Sequence, residues 1–456
     1  MYRHHLSWQL PGRAGSCCDR GMVWVRDSTP FGTSTSTARI LICIQALRAL
    51  LYGYSAVLLG EIFAREGLAV ATVGAIFTAM LVGMALSSLA VGRWAHSIGH
   101  LRLYRGLFVL LGVAGTAFAL SEWTPLLIVA ALTGTLSTDA NESGPITSLE
   151  QAMLSGVAAH ARPRVFGYYN AAAYLAGAAG ALAAGGPSAL RHIFPGVPGD
   201  QRWLLAYPVI ALVCLWLTTR LPADVEPGVQ RQRRRGMVRS RGNVQRLAAL
   251  FAVDAFGGGL VVQSFIVFWF QRRFGASIGL MGVVFFGVGL LQGASSLAAP
   301  ALARRIGLLN TMVFTHLPSN VLLAAVALMP SLPLAIAALL GRSVLSQMDV
   351  PARQAYLAAL VDPEERIAAA AYTNSARYAG RPLGPVGAGA LMQDVAIQAP
   401  FLVAGAVKVV YDVALFVMFR RVVTDEESDR RSKATNADGD PGADRHVLED
   451  SGELSP

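Results

Sequence analysis

The hydrophobic positions of this 456-residue chain fall into long continuous runs that are separated by short polar segments. A helix needs about 20 apolar residues to cross the hydrocarbon core of a bilayer. Continuous runs predict helices, because the strands of a membrane barrel would alternate apolar and polar residues over about ten positions. The pattern predicts twelve membrane-spanning helices, numbered spans 1 to 12 in chain order, at 40–60, 70–92, 104–122, 124–146, 165–186, 203–219, 247–270, 277–300, 312–330, 332–350, 368–392 and 398–419.

The composition excludes several function classes. Hydrophobic residues make up 54% of the chain and charged residues only 14%, against about 25% charged in a soluble globular protein. The net charge is +10, but the basic residues are not interleaved with aromatic ones, so no nucleic-acid partner is expected. The cysteines and histidines lack metal-ligand spacing within a span, and no Gly-rich phosphate loop with a lysine is present. We therefore expect no enzyme activity, no metal and no cofactor.

The positions of arginine and lysine predict the orientation in the membrane. With a cytoplasmic N-terminus, 28 of the 38 basic residues lie in cytoplasmic segments, 5 lie on the opposite side and 5 lie inside spans. Cytoplasmic loops carry an excess of basic residues, so both termini are expected in the cytoplasm. The Arg-rich, Lys-poor usage favours a bacterial inner membrane. The predicted parts are a disordered lead at 1–38, a six-helix half at 39–220, a basic linker at 221–245, a second half at 246–421 and a disordered acidic tail at 422–456.

The two halves are similar to each other in sequence. At an offset of 208, nine of the 26 residues in 74–99 are identical to their counterparts in 282–307. A second match, at an offset of 203, joins Gln151, Ala152 and Leu154 to Gln354, Ala355 and Leu357. Internal similarity of this kind is typical of transporters that are built from duplicated halves.

With these features the chain resembles the major facilitator superfamily over about 40–420. The local signature is the polar loop after span 2, with a second copy after span 8. His96 stands where that family usually has Asp, which weakens the conformational latch that the Asp forms. The residues of the two copies are Gly92, His96, Gly99, Arg102, Arg304, Arg305 and Gly307. The resemblance implies an all-α membrane protein with twelve transmembrane helices in two six-helix repeats.

Span 11 contains the segment 380–389, which reads GRPLGPVGAG. It is similar to the Gly-Pro motif of drug–proton antiporters, although that motif belongs in span 5. Small residues also permit close helix packing, which is the alternative explanation for the segment. The run Gly257-Gly258-Gly259 in span 7 is consistent either with a bending point or with a close helix contact.

Polar and ionisable side chains within the spans are candidates for the transport pathway, because burying a charge in the membrane costs at least about 2.5 to 3.5 kcal/mol. Some lie near the ends of spans, where a side chain can instead reach water. The candidates for the solute or proton pathway are Arg48, Tyr52, Asp139, Glu142, Asn170, Asp254, Gln263, Arg377 and Arg381. The polar end of span 4, around Asp139 and Glu142, is expected either to unwind or to form the helix end and the following loop.

Three pairings are expected among the charged residues. Lys408 and Asp412 are four residues apart on one helical face, which predicts a structural ion pair. Arg48 and Asp254 occupy corresponding places in spans 1 and 7, so Asp254 is expected to be a protonatable carboxylate coupled to Arg48. Asp349 is expected to pair with Arg377 or Arg381, and the other arginine would then contact an anionic solute or another helix.

The function expected from the resemblance is secondary active transport of a small organic solute by alternating access. Proton-coupled efflux by a monomer in the lipid bilayer is the favoured form. A facilitative uniporter, an importer and a membrane receptor without transport activity remain alternatives.

Overall fold

The computed structural model describes residues 35–139, 144–154, 162–222, 240–362 and 365–422. In these ranges the regular structure consists of α-helices and one short 3-10 helix. Most of the predicted lead, the basic linker and the acidic tail lie outside the described residues, and so does Glu142. The division of the chain into these parts therefore stays a prediction.

The N-terminal half, spans 1 to 6, contains eight α-helices and the 3-10 helix among the described residues. They are α1 (Thr35–Arg65), α2 (Val70–Ile98), α3 (His100–Leu120), α4 (Thr124–Ala131), α5 (Pro145–Leu154), α6 (Arg162–Ala183), α7 (Gly186–Ile193), the 3-10 helix (Asp200–Leu205) and α8 (Ala206–Thr218).

The C-terminal half, spans 7 to 12, contains nine α-helices among the described residues. They are α9 (Arg241–Gly259), α10 (Gln263–Phe274), α11 (Ile278–Ile306), α12 (Leu308–Leu328), α13 (Leu332–Leu345), α14 (Asp349–Leu360), α15 (Arg366–Gly380), α16 (Leu383–Asp394) and α17 (Ala399–Phe419).

Together these helices form twelve membrane-spanning units in two six-helix repeats, as the sequence predicts. Eight helical segments among the described residues are long and apolar enough to cross a membrane, and they correspond to spans 1, 2, 3, 6, 7, 8, 9 and 12. Span 5 is the single helix α6, which is rich in alanine and glycine. Spans 4, 10 and 11 are each divided into two shorter helices. None of these shorter helices is long enough to cross a membrane by itself.

The repeat is visible in the helix boundaries. Helices α2 and α11 are both 29 residues long and begin 208 residues apart. Helices α3 and α12 are both 21 residues long and begin at the same offset. The turns between them, at Gly99 and Gly307, have φ angles of 93° and 86°, which residues with a Cβ rarely adopt. The two signature loops therefore have the same backbone geometry.

Span 7 breaks after its glycine run. Helix α9 ends at Gly259 and α10 begins at Gln263. The same glycine is also a close helix contact, because a Cβ atom at Gly259 would lie 3.1 Å from Gly384 Cα on α16. The close helix contact is thus confirmed, and the segment 380–389 contributes to it, while a bending point at the glycine run stays a prediction.

The halves contact each other mainly toward one end of the bundle. We call the end where α1 starts, and where Gly99 and Gly307 lie, the Arg-rich end. Between the halves, α1 packs on α10, α2 on α16 and α6 on α11. These contacts lie toward the opposite end, where a Cβ atom added at Gly60 would lie 2.7 Å from Val267 Cβ. Helices α5, α9 and α14, which lie nearer the Arg-rich end, pack mainly within their own half.

The contact between α6 and α11 is made largely by backbone. A Cβ atom added at Gly282 would lie 2.8 Å from the carbonyl oxygen of Ala181, and one at Gly289 would lie 2.9 Å from Ala178 Cβ. Small residues on both helices therefore allow this close approach.

Candidate functional site

A polar link joins the two halves where three broken spans meet. The carboxylate of Asp139, beyond the end of α4, forms an ion pair with Arg381, which lies between α15 and α16. Its Oδ1 atom also accepts the backbone N–H of Gln263 at 2.7 Å, at the first turn of α10. The exposed N–H groups of a helix N-terminus favour a negative charge there. The side chains of Asp139 and Arg381 are 23% and 30% exposed, so this link is open to water.

Neighbouring groups reinforce the link. The backbone N–H and the hydroxyl of Ser264 both donate to the carbonyl oxygen of Thr138, at 3.1 and 3.0 Å. Tyr52 on α1 donates its hydroxyl to the carbonyl oxygen of Thr135 at 2.7 Å. The polar end of span 4 is therefore irregular backbone whose carbonyl groups are bound by spans 1 and 7.

A fully buried ion pair lies inside the N-terminal half. Arg48 Nη2 on α1 contacts Glu150 Oε2 on α5 at 2.6 Å, and the two side chains are 2% and 0% exposed. Glu150 also accepts hydrogen bonds from the hydroxyl groups of Tyr104, at 2.8 Å, and Tyr169, at 2.5 Å. Arg48 donates a further hydrogen bond to Gln45. The pair thus connects α1, α3, α5 and α6.

The C-terminal half contains a larger buried cluster. Asp254 on α9 forms an ion pair with Lys408 on α17. Its second oxygen lies 3.5 Å from Arg353 Nη1 on α14, and that nitrogen is 3.3 Å from Asp349. The side chains of all four residues are at most 9% exposed.

A histidine extends this cluster. His316 Nδ1 on α12 lies 2.8 Å from Asp412 Oδ1, and its Nε2 lies 3.7 Å from Asp254 Oδ1. Asn320 donates to Asp412 Oδ2 at 2.9 Å. The C-terminal cluster therefore links α9, α12, α14 and α17.

The two clusters are related by the repeat with their charges inverted. At the offset of 203, Glu150 of the first half corresponds in sequence to Arg353 of the second half. Arg48 corresponds to Asp254. Each half thus has an ion pair between its first and fourth spans, with the cation on the first span in one half and on the fourth in the other.

The three expected pairings are wrong. Lys408 and Asp412 share a face of α17, but Lys408 binds Asp254, whereas Asp412 binds His316. Arg48 binds Glu150 instead of Asp254, because each has a nearer partner within its own half. Since Arg48 and Asp254 are 2% and 5% exposed, neither reaches water at a span end.

Asp349 binds Arg353, four residues along α14, and neither Arg377 nor Arg381. Arg381 binds Asp139 across the halves, while Arg377 has no ion pair within the described ranges and its Nε atom is buried without a hydrogen-bond partner. Asn170 is exposed on α6. Gln263, besides binding Asp139 through its backbone, lines a cavity of about 10 Å³ between α6, α10 and α11.

In the signature loops, Gly92 has open space around it, and Arg102, Arg304 and Arg305 are exposed on helices α3 and α11. His96 lies on α2, where its side chain is outside the described structure.

Sequence reasoning missed Glu150 and Arg353 as site residues. The second repeat match begins one residue after each of them, and it would have identified them as an inverted pair. Among the residues that the structure describes, no group of three or more His, Cys, Asp or Glu side chains is arranged to hold a metal ion.

One family model matches most of this chain. The model of the Major Facilitator Superfamily matches residues 41–348 and 269–449. The uncharacterized membrane protein YJR124C of Saccharomyces cerevisiae is 22% identical over 426 residues, which cover 85% of this chain and 95% of that protein.

Several solved structures of transporters are similar to this chain. The nucleoside transporter NupG has a TM-score of 0.65 at 13% identity, over 84% of this chain and 99% of that one. A bacterial homolog of the human lysosomal transporter Spinster, inward-facing and occupied, has a TM-score of 0.65 at 15% identity, over 85% and 97%. The xylose transporter XylE from E. coli, inward open, has a TM-score of 0.63 at 13% identity, over 86% and 99%. At these identities the likeness concerns the fold.

Proposed function

Because this chain belongs to the major facilitator superfamily and is a multi-pass membrane transporter rather than an enzyme, we propose that it moves a small organic solute by proton-coupled alternating access. The proposed direction is export, which the likeness of segment 380–389 to the Gly-Pro motif of drug–proton antiporters supports. We also propose that it acts as a monomer with both termini in the cytoplasm. The composition favours a bacterial inner membrane, and the yeast relative makes a eukaryotic membrane the alternative.

The observation that supports proton coupling is the bond of Asp139 across the two halves. Protonation would remove the negative charge that holds Arg381, and would weaken the bond to the N-terminus of α10. A proton at Asp139 would thus change the relative free energies of conformations in which the halves are joined or separated at this point.

Asp139 is a better candidate for the proton site than Asp254. Asp254 is buried and contacts two cations, Lys408 and Arg353, and both favour its charged form. Asp139 is partly exposed, and within the described ranges its side chain forms an ion pair with one cation, Arg381. A proton can therefore reach Asp139 without separation of the buried helices.

The test is solute flux in proteoliposomes with an imposed pH gradient, screened over several classes of compound. We expect gradient-dependent flux for the wild type, and flux without pH dependence for Asp139→Asn. Asp362→Asn, which changes an exposed carboxylate between α14 and α15, is the control and should behave as wild type.

Wild-type pH dependence in Asp139→Asn would exclude Asp139 as the coupling group. Flux that follows only the solute gradient would indicate a uniporter, and accumulation driven by an inward proton gradient would indicate an importer. Absence of flux for every class would favour a receptor role.

A further inference from the structure

The carboxylates of the link and of the two buried clusters are already bound by other side chains. This matters because a buried guanidinium needs an anionic partner. The partners are Arg381 for Asp139, Arg48 for Glu150, Lys408 and Arg353 for Asp254, Arg353 for Asp349, and His316 and Asn320 for Asp412.

Two embedded arginines are left without such a partner. Arg342 in the last turn of α13 and Arg377 in the last turn of α15 form no side-chain hydrogen bond or ion pair in the ranges that the structure describes, and the Nε atom of each is buried. Arginine cannot lose its proton in a protein, so it cannot become neutral when it is buried. An unpaired guanidinium in this setting is costly, which calls for a reason to keep it.

Arg377 lies close to the link between the halves along the chain. It is four residues, about one helical turn, before Arg381, which binds Asp139. Arg342 is the counterpart of Asp139 in the repeat at the offset of 203, so it holds in the C-terminal half the position that the carboxylate of the link holds in the N-terminal half.

We propose that the solute carries an anionic group, a carboxylate or a similar oxyanion, which binds the guanidinium of Arg377, with Arg342 as a second cation of the pathway. This proposal rests on the transport function proposed above and specifies its solute class. A planar guanidinium matches the two oxygens of a carboxylate, so the group would also be oriented.

The first test needs no ligand. Removing an unpaired buried charge should leave the ligand-free protein as stable as the wild type, or more stable, whereas removing a paired charge destabilises it. We expect Arg377→Gln to keep or raise the thermal unfolding midpoint in detergent, and Arg353→Gln to lower it. Arg420→Gln, at the exposed end of α17, is the control. A loss of stability in Arg377→Gln as large as that in Arg353→Gln would overturn the proposal, since it would show a structural partner.

The second test is binding. The probes are acetate, benzoate and 2-naphthoate, each compared with its neutral amide and with the amine of the same carbon skeleton, and the readout is thermal stabilisation of the purified protein. We expect at least one anion to stabilise the wild type, and its apparent affinity to fall about tenfold or more in Arg377→Gln. Arg377→Lys keeps the charge and should retain part of the affinity.

Preference for an amide or an amine, an unchanged affinity in Arg377→Gln, or no stabilisation by any of the three anions would overturn the proposal. The failure of this inference is distinguishable from that of the proposed function. Gradient-driven flux of a neutral or cationic solute would refute the anionic solute alone, whereas anion binding with no flux in proteoliposomes would refute transport alone.

Discussion

The buried pair of Arg48 and Glu150 provides a quantitative test of how the N-terminal half is held together. Replacing Glu150 by Leu leaves the guanidinium of Arg48 uncompensated, and replacing Arg48 by Met leaves the carboxylate uncompensated. Breaking a buried pair from one side costs about 3 to 5 kcal/mol. In Glu150→Leu, the hydroxyl groups of Tyr104 and Tyr169 also lose an acceptor, so this variant should lie at the upper end of that range.

The double variant Arg48→Met/Glu150→Leu should recover most of the loss. Both charges are gone, and Tyr169 keeps Gln45 as a partner at 3.2 Å, so Tyr104 is the group that loses its bond. We expect a net cost of no more than about 2 kcal/mol, because one unsatisfied buried hydroxyl costs about 1 to 3 kcal/mol and the apolar replacements offset part of it.

The assay is unfolding by SDS in mixed micelles for the wild type, the two single variants and the double variant. The four free energies of unfolding give a coupling energy, which we expect to be about 3 kcal/mol or more. Arg420→Gln should change the free energy by less than about 0.5 kcal/mol. Additive effects of the single changes would refute the reasoning, because they would mean that the two charges are stabilised separately by water or by other groups.

Two further predictions concern the C-terminal half. Gly259→Ala should reduce the yield of folded protein and abolish transport, since its Cβ would collide with the carbonyl oxygen of Arg381, just before α16. Gly258→Ala has open space and should resemble wild type in both assays. A thermal-unfolding double-mutant cycle between Lys408→Met and Asp254→Asn should show strong coupling, and one between Lys408→Met and Asp412→Asn should show much weaker coupling; equal coupling in the two cycles would contradict the observed pairing.

The arrangement of membrane spans in two repeats was the part of the fold that could be predicted from sequence. Runs of apolar residues located the spans, and the offset of 208 agreed with the boundaries of α2 and α11 and of α3 and α12. The interruptions of spans 10 and 11 were not predicted, and unwinding of span 4 was only one of two alternatives, because an apolar run continues through a break whose freed backbone groups are bound by neighbouring helices. Thr138 illustrates this, since its carbonyl oxygen is bound by Ser264 on another span.

The identity of many pathway candidates was predictable, but their partners were not. A charge within an apolar run is visible in the sequence, and Arg48, Asp139, Asp254 and Arg381 all form contacts between helices. Spacing along one helix shows only that two side chains share a face. Lys408, for example, binds a residue 154 positions away, and that contact depends on how α9 and α17 are rotated against each other.

The backbone contact between α6 and α11 has a mechanical consequence. Where Gly282 and Gly289 meet Ala181 and Ala178, the contact is made by backbone and small side chains, so a small rotation at this point needs little change of rotamer. Rotation about such a pivot would require the contacts of α1 with α10 and of α2 with α16 to separate. We therefore expect the line from Gly282 to Gly289 to act as a pivot whose two surfaces stay in contact. The cleft between the two halves would then close at one end of the bundle while it opens at the other.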